Sequence, residues 1–345
     1  QSYTGPVSLT ANLVFDSTTS SSNGAVSFSS TVNSATSTAR NLSVVAGSGN
    51  VTFTGAVGNI NPLGAIAVDS TGTTTFGSTV NAASLATNAG GTTSLGGNVT
   101  TTGAQTYSDA VVLVGPVTIN GSSATFASSI TGGAGTSLTI AAPGGIRVGG
   151  NISTAGGQTY NNDITLTGNV TMTSSAGGIT FVKKVLSQAD QAYSLIANAS
   201  TLVKITDSVG INVITTDGTL PTTYALRDFL ITAANIHILA DVLTRRNQQY
   251  NGAVSIGDNG VQGALYSYYM SLLTSIDSTK KAPVVVDPIY VRTLISIDPK
   301  IEFTGTVDDI EKNKHSLYTA AITHLAPNDA GFVAPQISFA KEIGK

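Results

Sequence analysis

The chain has no cysteine and no tryptophan, only two methionines, and charged residues at 10% of 345 positions. Each shortage excludes something. Without cysteine there is no disulfide framework and no thiolate metal site. A soluble domain ordinarily carries about a quarter charged residues, so polarity must come from elsewhere, and here Ser, Thr, Asn and 37 Gly supply it. Glu and Met are scarce, which argues against long helices. No apolar run approaches the ~18 residues of a membrane-spanning helix, and no transmembrane segment is expected. The net charge of −3 offers no basic face to neutralise phosphates, so nucleic acid is not an expected partner. What charge exists is unevenly placed. Residues 1–180 hold only Asp16, Arg40, Asp69, Asp109, Arg147 and Asp163. The sequence therefore divides into a low-charge stretch, 1–185, and a more charged and irregular one, 186–345. Gln1 opens directly on a repeat phrase, with no leader ahead of it, which points to a mature or excised portion of a longer product.

What is abundant is repetition. One phrase is Gln-x-Tyr followed by alternating apolar residues: QSYTGPVSL at 1–9, QTYSDAVVL at 105–113, QTYNNDITL at 158–166 and QQYNGAVSI at 248–256. A second places an aromatic or aliphatic residue four positions before Val or Ile. It appears as SFSSTV (Phe28), TFTGAV (Phe53), TFGSTV (Phe76), TFASSI (Phe126), TFVKKV (Phe181), EFTGTV (Phe303) and SFAKEI (Phe339), with Leu or Val as the lead residue in other copies. A third, as in SLATNAGGTT at 84–93, often falls between two of the second. Each unit gives a short strand with apolar residues on one face, closed by Gly or Asn corners. One such coil cannot bury its own apolar face, whereas stacked coils can. The pattern predicts an all-β chain, a right-handed parallel β-helix (β-solenoid) with loop insertions in the C-terminal third. Phe28, Phe53, Phe76, Phe126, Phe181, Phe303 and Phe339 are expected to form an inward ladder. Tyr3, Tyr107, Tyr160 and Tyr250 are expected at equivalent corners, with hydroxyl and Gln amide satisfying turn backbone.

The phrases VTTTGAQTYSDAVVL, TTTFGSTVNAASLATNAGGTTSL and GNVTFTGAVG resemble repeats of filamentous-haemagglutinin-like exoproteins, which are secreted through two-partner systems, and of autotransporter-type adhesins. The resemblance covers about 50–185 well and is thinner beyond. It implies a β-helix displayed outside the cell with an adhesive, biofilm or surface-layer role, and it does not imply an enzyme.

Glycoside hydrolysis needs two carboxylates across one cleft, yet 1–180 offers four isolated Asp and no Glu. Asp207, Asp217, Asp228, Asp241 and Asp258, near Arg245 and Arg246, keep a β-helical polysaccharide lyase or glycosidase as an alternative. His237, His315 and His324 lack metal-site spacing. No catalytic residue, metal site or cofactor is expected. Tyr266, Tyr268 and Tyr269 crowd one short stretch and suit an interface or a sugar-stacking surface, with burial under a loop equally open. Seven Asn-x-Ser/Thr sequons arise from the repeat composition. The favoured reading is an extracellular structural protein whose partner is another copy of itself, head to tail or lateral, or a neighbouring surface component. The alternative is an adhesin segment for a host glycan or protein.

Overall fold

The computed structural model describes residues 1–18, 24–212, 222–257, 291–296, 300–309, 316–321 and 336–339. Among these residues every regular element is a β-strand except one 3-10 turn at Thr222–Tyr224. Every paired strand whose register is defined runs parallel to its partner, as in a β-solenoid. The chain divides into two compact units, Gln1–Asn162 and Asp163–Lys345. The compositional change near residue 185 falls inside the second.

The first unit winds around three walls. The first wall stacks Ser2–Tyr3, Val26–Phe28, Val51–Phe53, Thr73–Phe76, Thr92–Leu95, Ala110–Leu113, Ile130–Gly132 and Ile152–Thr154. The second runs from Val7–Leu9 to Gln158–Tyr160. The third runs from Leu13–Asp16 to Ile146–Val148. A strand thus pairs with the one a full coil away, never with its sequence neighbour. Side chains alternate in and out along each strand; in Thr73–Phe76, for instance, Thr74 and Phe76 are buried. The interior is therefore a set of columns, each made of like positions in successive coils. Full burial of each Val, Leu, Ile or Phe stabilises by roughly 1.5–3 kcal/mol.

Corners are closed by backbone approach and by short polar side chains. Gly58 adopts φ 70°, and a Cβ there would meet the Asn81 carbonyl oxygen at 2.0 Å. Asn side chains bind one coil to the next: the Oδ1 atoms of Asn41, Asn50 and Asn98 accept from the amides of Ala65, Thr73 and Thr118, each at 2.8 Å. Three of the seven sequon asparagines are thus inter-coil clamps in this unit.

The second unit is also three-walled. One wall carries Val170–Ser174, Leu195–Ala199, the start of Phe229–Ile238, the start of Gln248–Ile256, Lys300–Phe303 and Gln336–Phe339. Another carries Ile179–Phe181, Leu202–Ile205, the remainders of the two long strands and Val307–Asp309. The last carries Ile164–Leu166, Val185–Ser187, Val242–Thr244, Val291–Ser296 and Ser316–Ala321. Asn169 repeats the clamp, accepting from the Ser194 amide at 3.0 Å.

The phenylalanines do not share one column. Phe28, Phe53 and Phe76 stack on the first wall, with ring centroids 4.8 and 5.0 Å apart and planes within 4°. Leu95 and Leu113 continue that column. Phe126 lies on the third wall, stacked on Tyr107 at 5.1 Å. In the second unit Phe181 aligns with Ile205, whereas Phe303 stacks on Tyr250 at 5.1 Å and aligns in register with Phe339. The reason is geometric. The phrase Phe-x-x-x-Val is a corner: its first residue ends one wall and its last begins the next. Phe76 and Val80 turn from the first wall to the second, whereas Phe126 and Ile130 turn from the third to the first. In the second unit Leu166/Val170, Phe181/Val185 and Phe303/Val307 mark all three kinds of corner.

Candidate functional site

The tyrosines of the Gln-x-Tyr phrase do stand at corners, since Tyr107, Tyr160 and Tyr250 each close one wall four residues before Val111, Ile164 or Val254 opens the next, but the corners are not equivalent ones. Tyr107 and Tyr160 end strands and Tyr250 lies within Gln248–Ile256; all three point into the interior, each with no exposed surface. Gln and Tyr two apart on a strand share a face, so both enter the core, and from there the Gln amide reaches backbone beside a turn, as Gln105 does at the Asn120 carbonyl. Tyr107 and Tyr160 lie on the third and second walls of the first unit, and Tyr3 on its first wall.

The buried polar atoms are satisfied by a relay that repeats three times. The hydroxyl of Tyr107 donates to Oε1 of Gln105 at 2.8 Å. Gln105 Nε2 donates to Thr101 Oγ1 at 3.1 Å and to the Asn120 carbonyl at 2.7 Å. Thr101 Oγ1 donates to the Gly103 carbonyl at 2.7 Å. Tyr160, Gln158, Thr154 and Gly156 repeat it at 2.8, 3.1 and 2.7 Å. Tyr250, Gln248, Thr244 and Arg246 repeat it again at 2.9, 3.3 and 2.8 Å. The unit is therefore Thr-x-x-x-Gln-x-Tyr, and the threonine is the member that reading from the Gln onward misses. Burial drives the acidity of all three phenols far out of the accessible range. They are structural donors, not proton carriers. Tyr3 is the half-exposed version: its hydroxyl donates to Gln1 Oε1 at 3.1 Å, and its ring stacks on Phe28 with Phe15 edge-on to both.

Two residues past the tyrosine the phrase makes a further inter-coil contact. Asp109 accepts from the Gly91 amide at 2.7 Å and from Thr93 Oγ1 at 3.2 Å. Asn162, at the matching position, accepts from the Ala142 amide at 2.7 Å. Asp109 is 1% exposed. Burial pushes its carboxyl above the ordinary carboxylate value, against the opposing effect of those two hydrogen bonds. In the same coils the hydroxyls of Thr74 and Thr87 are buried without a hydrogen-bond partner.

Asp207, Asp228 and Asp241 are the candidate carboxylates of the second unit among the described residues. Asp228 is tied by Ser194 Oγ at 2.8 Å, Arg227 Nε at 2.9 Å, and the amide and side chain of Asn247 at 3.2 and 3.0 Å. Burial opposes its ionisation, but these bonds and the Arg227 charge outweigh it and hold the carboxyl below its usual range. Asp207 accepts from the Ser208 amide, and Asp241 is buried. His237 stands between Lys204 and Ser255 in register. Burial, with help from the Lys204 charge, lowers its pKa. Among the described residues no three His, Asp or Glu side chains converge as a metal site. Also among them, no helix is long and apolar enough to cross a membrane. An open groove of the first unit is lined by Thr101, Thr102, Asn120, Ser122, Ala141 and Pro143 and carries no titratable side chain. Asp217, Asp258, His315, His324 and the stretch of Tyr266, Tyr268 and Tyr269 lie outside the described residues.

Comparison with family models, curated proteins and solved structures finds no match for this chain.

Proposed function

We propose that this chain is a structural β-solenoid, a component of an extracellular surface layer or filament that associates with copies of itself or with neighbouring surface proteins. The observation that carries the reading is how the side chains are spent. Inward positions are filled by stacked rings, aliphatic columns and hydrogen-bonded polar relays. Outward positions of the first unit are mostly Ser, Thr, Ala and Asn, with very few charges to keep like surfaces apart. Low net charge on flat surfaces favours association. The resemblance of the repeats to exoprotein repeats supports placement outside the cell.

The test is sedimentation velocity and negative-stain microscopy across a concentration series, with protease accessibility on intact cells of the source. Concentration-dependent dimers, bundles or fibres, and cleavage without lysis, are the expected results. A monomer at every concentration, or a protein shielded until lysis, overturns the reading. Turnover of a polysaccharide panel, lost on a single Asp substitution, would install the enzyme instead.

A further inference from the structure

The third wall of the first unit presents a flat outer surface between its strands Leu63–Ser70 and Ile146–Val148. Ala67, Ala86, Thr106 and Thr125 align coil over coil and point outward, and Arg147 stands next in the same column. The side chains are short, so no ridge interrupts the surface. Across these five strands only two outward residues are charged, and they have opposite signs. Asp69 belongs to the first of the five strands, beside Val68. Arg147 belongs to the fifth, beside Val148, and Val68, Thr87, Tyr107, Phe126 and Val148 are one register column. Asp69 and Arg147 are therefore two coils to either side of the strand Ala104–Tyr107. Arg147 is exposed and forms no ion pair among the described residues. Asp69 takes one hydrogen bond there, from Asn88 Nδ2 at 2.8 Å to Oδ1, which leaves Oδ2 for another donor.

We propose that this wall is a self-association surface on which two copies pack face to face and antiparallel, with the two-fold axis passing along the strand Ala104–Tyr107. This rests on the self-associating reading given above and names the surface for it. A two-fold axis along the central strand reverses the order of coils and keeps position along the strand. It thereby sets Asp69 of one copy against Arg147 of the other, twice per dimer. A parallel arrangement would place like charges over each other instead. With about 4.8 Å between coils and sheets about 10 Å apart, an Arg side chain spans the two-residue offset. The footprint, about 20–25 Å along the stack and up to about 20 Å across, buries on the order of 1,000 Å² in total, the lower bound for a specific interface. The dimer interface is accordingly at the small end of specific interfaces and sensitive to its two ion pairs. The remaining acid of this wall, Asp16, is on its first strand, outside the footprint and at the same end as Asp69.

The experiment is sedimentation equilibrium of the full chain and of D69R, R147D and the double variant D69R/R147D. Each single variant is expected to weaken the dimer at least tenfold, and the double variant, with charges exchanged, to recover to within about threefold of wild type. Because the chain has no cysteine, one introduced at Thr106 reports the axis directly. T106C is expected to join two copies through a short bismaleimide, and T52C, on the first wall, is not. Self-association that is indifferent to D69R and R147D and cross-links equally through T52C overturns this surface while leaving the self-associating reading in place. A wild-type chain that is monomeric throughout overturns both. Circular dichroism of each variant separates lost contact from lost fold.

Discussion

Removing one hydroxyl from the core should cost far more at Tyr107 than at Tyr3, although the local phrase is the same. In Tyr107→Phe the ring stays on Phe126, but Gln105 Oε1, fully buried, loses its donor. An unsatisfied buried acceptor costs about 1–3 kcal/mol. Gln105→Leu conserves bulk and should cost more, about 3–4 kcal/mol, because it strands both the Tyr107 hydroxyl and the Asn120 carbonyl that Gln105 serves at 2.7 Å. The double variant no longer contains a mismatched hydroxyl and amide, so its loss should fall short of the sum by about 1–2 kcal/mol. Tyr3→Phe is the internal control: water replaces its Gln1 partner, and the expected change is within about 0.5 kcal/mol. A solenoid can open coil by coil, so a single global midpoint would blur the effect. Native-state hydrogen exchange at the amides of 99–107 and 117–126 reads the affected coils directly, with urea unfolding alongside. Equal effects of Tyr107→Phe and Tyr3→Phe, or strict additivity of the two core changes, would refute the relay as a coupled network.

Three further outcomes follow from particular atoms. Asp109→Asn should stabilise the fold at pH 7, since Asn162 makes the matching contact without a charge. The folded carboxyl is raised, so its contribution is full below the ordinary carboxylate value and is lost as pH rises; thermal melts should show the variant's advantage growing from pH 3 to 7, and a constant offset would contradict the sign. Thr74→Val removes a buried hydroxyl without a partner and should raise stability by about 1 kcal/mol in urea unfolding; a loss would mean the hydroxyl is served by an ordered water. Gly58→Ala meets the Asn81 carbonyl at 2.0 Å in a left-handed backbone and should cost more than about 2 kcal/mol, whereas Gly115→Ala enters open space and should stay within about 0.5 kcal/mol; parity between the two in unfolding experiments would refute the corner geometry.

The solenoid was legible because its two signals are local. Alternation in stretches such as Thr73–Phe76 fixes which side chains go inward, and Gly or Asn after each stretch fixes a corner. Which corner is not local. Phe76-x-x-x-Val80 and Phe126-x-x-x-Ile130 satisfy the same requirement, an apolar residue closing one wall and a β-branched one opening the next. Wall lengths vary, so counting along the chain loses the phase, and a single Phe ladder dissolved into several columns. The Tyr relay was half legible. Gln and Tyr stand out in a sequence poor in both, but Thr101, Thr154 and Thr244 are hidden in a threonine-rich background. Asp109 and the clamp asparagines were hidden for a different reason: their partners are amides a coil away, and the contact leaves no trace in sequence spacing. The clamps at Asn41, Asn50, Asn98 and Asn169 instead produced sequons, a pattern with a more familiar meaning.

The interchangeability of corners has a consequence for how such a chain can change over time. A duplication or deletion of one whole coil returns every later residue to its own wall, and the outer surfaces are kept. An event one wall long, promoted by the similarity of the corner phrases, still joins an apolar end to a β-branched start and still stacks. It turns everything downstream by a third of a revolution. The core would register little of this, while the side chains shown to the outside would be dealt to different walls. Core and surface are thus loosely geared, and a lineage can acquire a new exterior by slippage without designing a new interior.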